Sequence, residues 1–212
     1  MKDFLVTWEM SESTPERYTE RVVGHLARQA FGGMVWNTVV AHEHNLPREI
    51  MLDTASWMSQ SHDKGITIGT KSMTPSEKKR LMFREERFSY TDEVTYRLLH
   101  EVAHRFNFHT QDSRGVQDLL ALNKEQREQN GPKGLTVLGS LDYYRESHRF
   151  IEDSAELVAM YAWDPGYLAE YTNFLANPDY GRLHSTLNLQ SLSAKAADEV
   201  FHVVEAAFWR RA

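Results

Sequence analysis

The stretch Leu98-Leu99-His100-Glu101-Val102-Ala103-His104 is the one from which the rest of the chain is read. On a helix, residues four apart stand on one face, so His100 and His104 project together and can chelate one metal ion. Glu101 lies beside the first of them, off the metal axis, where a carboxylate can take a proton from a metal-bound water rather than bind the ion. Leu98, Leu99, Val102 and Ala103 are apolar, which predicts a buried helix whose polar face looks into a pocket. The bland alternative is a surface helix carrying two solvated histidines, and the apolar setting argues against it.

Working outward, Val94, Leu98, Val102 and Phe106 recur every four residues, which predicts a helix over 91–108 with Thr91 as its N-cap. Upstream, residues 3–10 read as a short strand. Thr14-Pro15 then opens a helix with Tyr18, Val22, Leu26 and Ala30 on one stripe, ended by Gly32-Gly33. Three β-branched and aromatic runs follow, MVWNTVVA, EIMLDTASW and GITIGTKSM, and predict a small sheet. In the last run Ile66, Ile68 and Thr70 alternate with Thr67, Gly69 and Lys71, as a half-buried or edge strand would. The charged stretch 76–87 reads as helical. Residues 109–147 are polar, with a helix predicted in VQDLLALNKEQREQ and a turn at Gly131-Pro132-Lys133-Gly134, and are expected to form an insertion or lid. Helices are then predicted over 147–163, ending at Asp164-Pro165-Gly166, over about 166–176, and from Ser191 or Ser193 through Val200, Val203, Val204 and Phe208.

Composition narrows the chemistry. The 212 residues contain no cysteine, so thiolate nucleophiles, disulfides and Cys-type structural zinc sites are excluded, and any metal must be held by His and carboxylates. With 24 basic against 30 acidic residues the net charge is −6, which offers no broad positive field for nucleic acid. No apolar run approaches the roughly 18 residues of a membrane span, so no membrane partner is expected. MKDFLVTWEMSE lacks the apolar core and cleavage site of a secretory signal, and the expectation is a cytoplasmic protein. A monomer is slightly favoured, although nothing in the sequence fixes the oligomeric state.

A catalytic zinc site needs a third protein ligand beside an open position. The metzincin pattern is not met: Thr110 stands where its third histidine would be and Asn107 where its turn glycine would be, with His109 one residue short. The segment Phe150-Ile151-Glu152-Asp153-Ser154-Ala155-Glu156-Leu157-Val158-Ala159, together with the His-Glu-x-x-His helix, instead resembles the gluzincins, the thermolysin-like clan of zinc metallopeptidases. About 20 residues carry this resemblance, which therefore implies an architecture and no particular enzyme. It implies that His100, His104 and Glu152 bind Zn2+, that Glu101 is the general base, and that Glu156 accepts a hydrogen bond from a ligand imidazole. Glu152 and Glu156 share a helix face, which suits those two roles. The chain departs from the pattern in having Glu156 where an aspartate is often found.

Other residues are open candidates. Tyr143, Tyr144 and Arg145 precede the glutamate helix and could donate to a tetrahedral oxyanion, with Tyr144 the chosen one; interface packing explains each equally well. His148, four residues before Glu152, is a ligand, a transition-state donor or an ordinary histidine of a helix start. Asp153 is turned about 100° from Glu152 on an ideal helix and is a poorer ligand. His42-Glu43-His44 reads as a solvated loop.

The expected fold is α+β and zincin-like. It has an N-terminal lobe over 1–108 with the sheet and the His-Glu-x-x-His helix, the 109–147 insertion, and a helical C-terminal lobe over 148–212 bearing the glutamate ligand. The expected function is zinc-dependent hydrolysis of peptide bonds in a peptide or protein substrate. The sequence leaves two alternatives: a non-proteolytic, zinc-stabilised binding or regulatory protein that keeps the motif for structure, and a metal-free helical interaction protein.

Overall fold

The computed structural model describes residues 49–53, 55–62, 65–71, 78–81, 84–87, 90–109, 114–131, 133–141 and 146–209. The expected strands at 3–10 and 34–41, the first helix, His42-Glu43-His44 and the trio Tyr143, Tyr144 and Arg145 lie outside them. Strands and helices are both present, so the fold is α+β. The chain divides into two units, Met1–Arg105 and Phe106–Ala212. Among the described residues no helix is long and apolar enough to cross a membrane.

In the first unit, strands β1 (Glu49–Asp53), β2 (Gln60–His62) and β3 (Gly65–Gly69) form a mixed sheet in the order β1-β3-β2. β1 runs parallel to β3 with Glu49 opposite Gly65, and β2 runs antiparallel to it with Ser61 opposite Ile66. Ile66 and Ile68 are fully buried. The reading of β3 as an edge or half-buried strand is corrected: it is the central strand, and Gly65, Gly69 and Thr70 are buried as well. Its second face carries small residues because other backbone lies against it. A Cβ on Gly69 would meet the Met58 carbonyl oxygen at 2.5 Å. The segment before β2 is pinned there by Gly69 N–H donating to Ser59 Oγ at 3.2 Å and Lys71 N–H donating to the Ser56 carbonyl at 3.0 Å. Alternation in one strand reports which face is apolar; it does not report how many neighbours that strand has.

A second correction concerns residues 76–87. In its described residues the charged run forms two antiparallel paired strands, β4 (Lys78–Leu81) and β5 (Arg84–Arg87), rather than a helix. Its register places Lys79 opposite Glu86 and Arg80 opposite Glu85. Basic and acidic residues at paired register positions suit a strand ladder as well as a solvated helix, so the charge sequence by itself does not choose between them.

Helix α1 (Tyr90–His109) begins in the first unit. Val94, Leu98, Leu99, Val102 and Ala103 are buried, as the four-residue spacing predicts. Arg97 ties α1 to the sheet: one guanidinium nitrogen donates to the Gly69 carbonyl at 2.8 Å, and the other to Glu93 Oε1 at 2.7 Å, one turn back on the same helix. The rotation of α1 relative to β3 is thereby fixed one turn ahead of the two histidines.

The second unit contains α2 (Arg114–Asn130), α3 (Glu146–Trp163), α4 (Pro165–Ala176), the short α5 (Gly181–Thr186) and α6 (Ala194–Trp209). α3 packs on α2, α4 and α6, and residues 153–161 are buried without interruption, as a helix covered on every side requires. Asp164 caps α4, accepting from Gly166 N–H at 2.8 Å with Pro165 at the first position. Ser193 Oγ does the same for α6, accepting from Ala196 N–H at 3.2 Å. Within the segment expected to be an insertion, α2 and residues 133–141 are built into this unit: Leu122, Leu135 and Thr136 are buried, and Tyr171 Oη donates to the Leu135 carbonyl at 2.7 Å.

Candidate metal centre

Helix α1 presents His100, Glu101 and His104 from one region of its surface, held there because Leu98, Leu99, Val102 and Ala103 fill the core on the other side. The three polar side chains are 7%, 5% and 8% exposed, which is incompatible with a solvated surface helix. Titratable groups withdrawn from water this far need partners or an ion to offset their lost hydration. The two imidazoles stand edge to face with centroids 4.6 Å apart and ring planes at 88°.

The donor atoms of His100, Glu101 and His104 all lie within 4.8 Å of one another. A tetrahedral ion with bonds of about 2 Å draws its donors to roughly 3.3 Å apart. The group could hold a divalent ion if its side chains closed in by that difference. The two imidazoles are borderline donors of the kind that hold divalent transition metals, the carboxylate of Glu101 lies beside them, and the chain has no thiolate to compete.

The structure thus brings together the three residues the sequence singled out first. Glu152 and Glu156 belong to α3 in the second unit and are not members of that group. They share a face of α3, with Glu152 half-buried and Glu156 buried. His148 falls in the first turn of the same helix.

Asp153 has a different task, consistent with its being a poor ligand. Its side chain is fully buried and accepts from Leu135 N–H at 3.1 Å, Thr136 N–H at 2.7 Å, Thr136 Oγ1 at 2.7 Å and Arg127 at 3.1 Å. Burial pushes its carboxyl above the usual range, opposed by the Arg127 guanidinium and these hydrogen bonds. Arg127 also donates to the Gly139 carbonyl. Gly139 can be nothing larger, since a Cβ there would overlap the Asp153 carboxylate. Burial, then the carboxylates of Asp153 and Glu156, raise the Tyr171 hydroxyl well above its ordinary value, so it stays a donor to Leu135.

Sequence reasoning missed Arg97 and the Asp153–Arg127 pair. The four-residue spacing of Glu93 and Arg97 was a signal for the first. Nothing local announces the second, whose partners are 26 residues apart. Comparison with protein-family models, with curated proteins and with solved structures finds no match for this chain.

Proposed function

We propose that the chain is a zinc metallopeptidase of zincin-like architecture, acting in the cytoplasm on a peptide or protein substrate. The observation that carries this reading is the burial of His100, Glu101 and His104 with their donor atoms gathered on one helix. His100 and His104 hold the ion, and Glu152 is the third ligand implied by the gluzincin resemblance, with Glu156 orienting a ligand imidazole. Zinc, when bound, acidifies a coordinated water to a pKa of about 7 and polarises a carbonyl. Glu101 takes the proton and passes it to the departing amine. Tyr144 is the proposed donor to the developing oxyanion. Burial favours the proton transfers, because in a water-poor pocket a carboxylate beside two imidazoles interacts more strongly than it would in solvent.

The peptide preference comes from reading the strand at 65–73, just ahead of α1, as a zincin-like sheet edge to which an extended peptide adds, and without that edge it rests on the gluzincin resemblance alone. β3, expected to offer a free sheet edge for an added peptide strand, is flanked by β1 and β2, so strand addition would have to use an outer strand of the sheet.

Glu101→Gln separates catalysis from binding. The variant should retain zinc by elemental analysis and lose about 10²- to 10⁴-fold in cleavage of a peptide library. His100→Ala should lose both zinc and cleavage. An unchanged rate in Glu101→Gln would remove Glu101 from the mechanism, and zinc-loaded wild type that cleaves nothing would favour the non-proteolytic zinc protein.

A further inference from the structure

A second constellation, unrelated to the zinc reading, lies in the second unit. His184 on α5 is 1% exposed, packed edge to face on Phe174 with ring centroids 4.7 Å apart. Its Nε2 is 3.0 Å from the Phe174 carbonyl oxygen. A carbonyl can only accept, so Nε2 carries the hydrogen, and in the neutral ring Nδ1 is left with its lone pair. Nδ1 lies 3.0 Å from Ser191 Oγ, which makes the serine hydroxyl the donor of that bond. Ser191 is itself exposed, in the turn between α5 and α6. Burial holds His184 below the ordinary histidine range, opposed by the hydrogen bond to the Phe174 carbonyl and aided by Lys133, and the ring is a neutral base at neutral pH. The order is that of an activated nucleophile: an accessible hydroxyl, a base within hydrogen-bond reach, and a third group fixing the tautomer of the base.

We propose that Ser191, with His184 as its general base, is a nucleophile that accepts acyl groups from carboxylic esters. Oγ forms a bond to the acyl carbon as the bond from that carbon to the alcohol oxygen breaks. The hydroxyl proton moves to His184 Nδ1 and from there to the departing alkoxide. Phe174 steadies the ring while it is charged, because its carbonyl accepts from Nε2–H throughout. Water returns the enzyme by the same route: it gives a proton to Nδ1, attacks the acyl carbon, and releases the carboxylic acid as Oγ recovers its hydrogen. No electron donor or acceptor is required.

Two neighbouring serines supply the comparison. Ser185 and Ser193 are also exposed, and neither has an imidazole partner among the described residues; Ser193 Oγ accepts from the start of α6. The probe is an alkyl fluorophosphonate, which traps an activated serine by losing fluoride. It is applied to the full chain with and without a zinc chelator, and adducts are mapped by peptide mass spectrometry. The expected result is labelling of Ser191 on the order of a hundredfold faster than of Ser185 or Ser193. That labelling should be unaffected by chelation, absent in Ser191→Ala and strongly slowed in His184→Gln. Ser191→Ala changes an exposed side chain and keeps the control independent of folding. Labelling of Ser191 no faster than of its two neighbours, or none at all, would overturn the proposal and leave the hydrogen bond a tie between α5 and the following turn.

Discussion

Three of the buried histidines answer to different partners. His100 and His104 face each other and a carboxylate, whereas His184 sits between a backbone carbonyl and a serine hydroxyl. That difference makes His184 a source of acid sensitivity. An unfolded histidine titrates near 6.5, and burial lowers the folded value. Between the two values the unfolded chain binds a proton that the folded chain refuses, so stability falls as pH drops through that window. Urea midpoints at about pH 7.5 and about pH 5.5 should diverge less in His184→Gln than in wild type; equal divergence would place the acid sensitivity elsewhere. At this scale the sequence is legible where chemistry is local. His100, Glu101 and His104 are recognisable because the helix that unites them is their own. His184 depends on Phe174 and Ser191, ten residues before it and seven after it, brought together by turns with no periodic pattern.

α3 shows what elements add. Its periodicity and its boundary at Asp164-Pro165 are evident from the sequence, but the use made of Asp153 is not, because that carboxylate organises the turn at 133–141 through donors from Arg127 and from the adjacent Leu135 and Thr136. Removing one member of a buried ion pair leaves the other uncompensated and typically costs about 3–5 kcal/mol. Asp153→Ala should therefore lower unfolding stability by about that amount in a denaturant titration, the Leu135 and Thr136 N–H groups losing their acceptor as well. A change below about 1 kcal/mol would mean that water replaces the carboxylate. Strands are the harder elements to read. β3 reads as a half-buried or edge strand and is central, and the 76–87 run reads as helical and forms the paired strands β4 and β5 in its described residues. Both depend on pairing, which a single segment does not encode.

For the molecule as a whole, the mixture of a small sheet and many helices was readable from the change of period along the chain, and it is borne out as α+β. The proposed zinc site was readable only in part. The two proposed ligands and the proposed base lie within one turn and a third of α1, whereas Glu152 comes from the resemblance and is carried by the other unit. The charge of −6 and the absence of cysteine bound the chemistry at this scale, leaving imidazole and carboxylate as the ligands for an ion. The central claim is that the chain binds zinc through His100, His104 and Glu152, and elemental analysis of purified wild type beside Glu152→Ala tests it most directly. The account predicts about one zinc per chain in wild type and clearly less in the variant. Wild-type protein that holds no zinc even after reconstitution would contradict it.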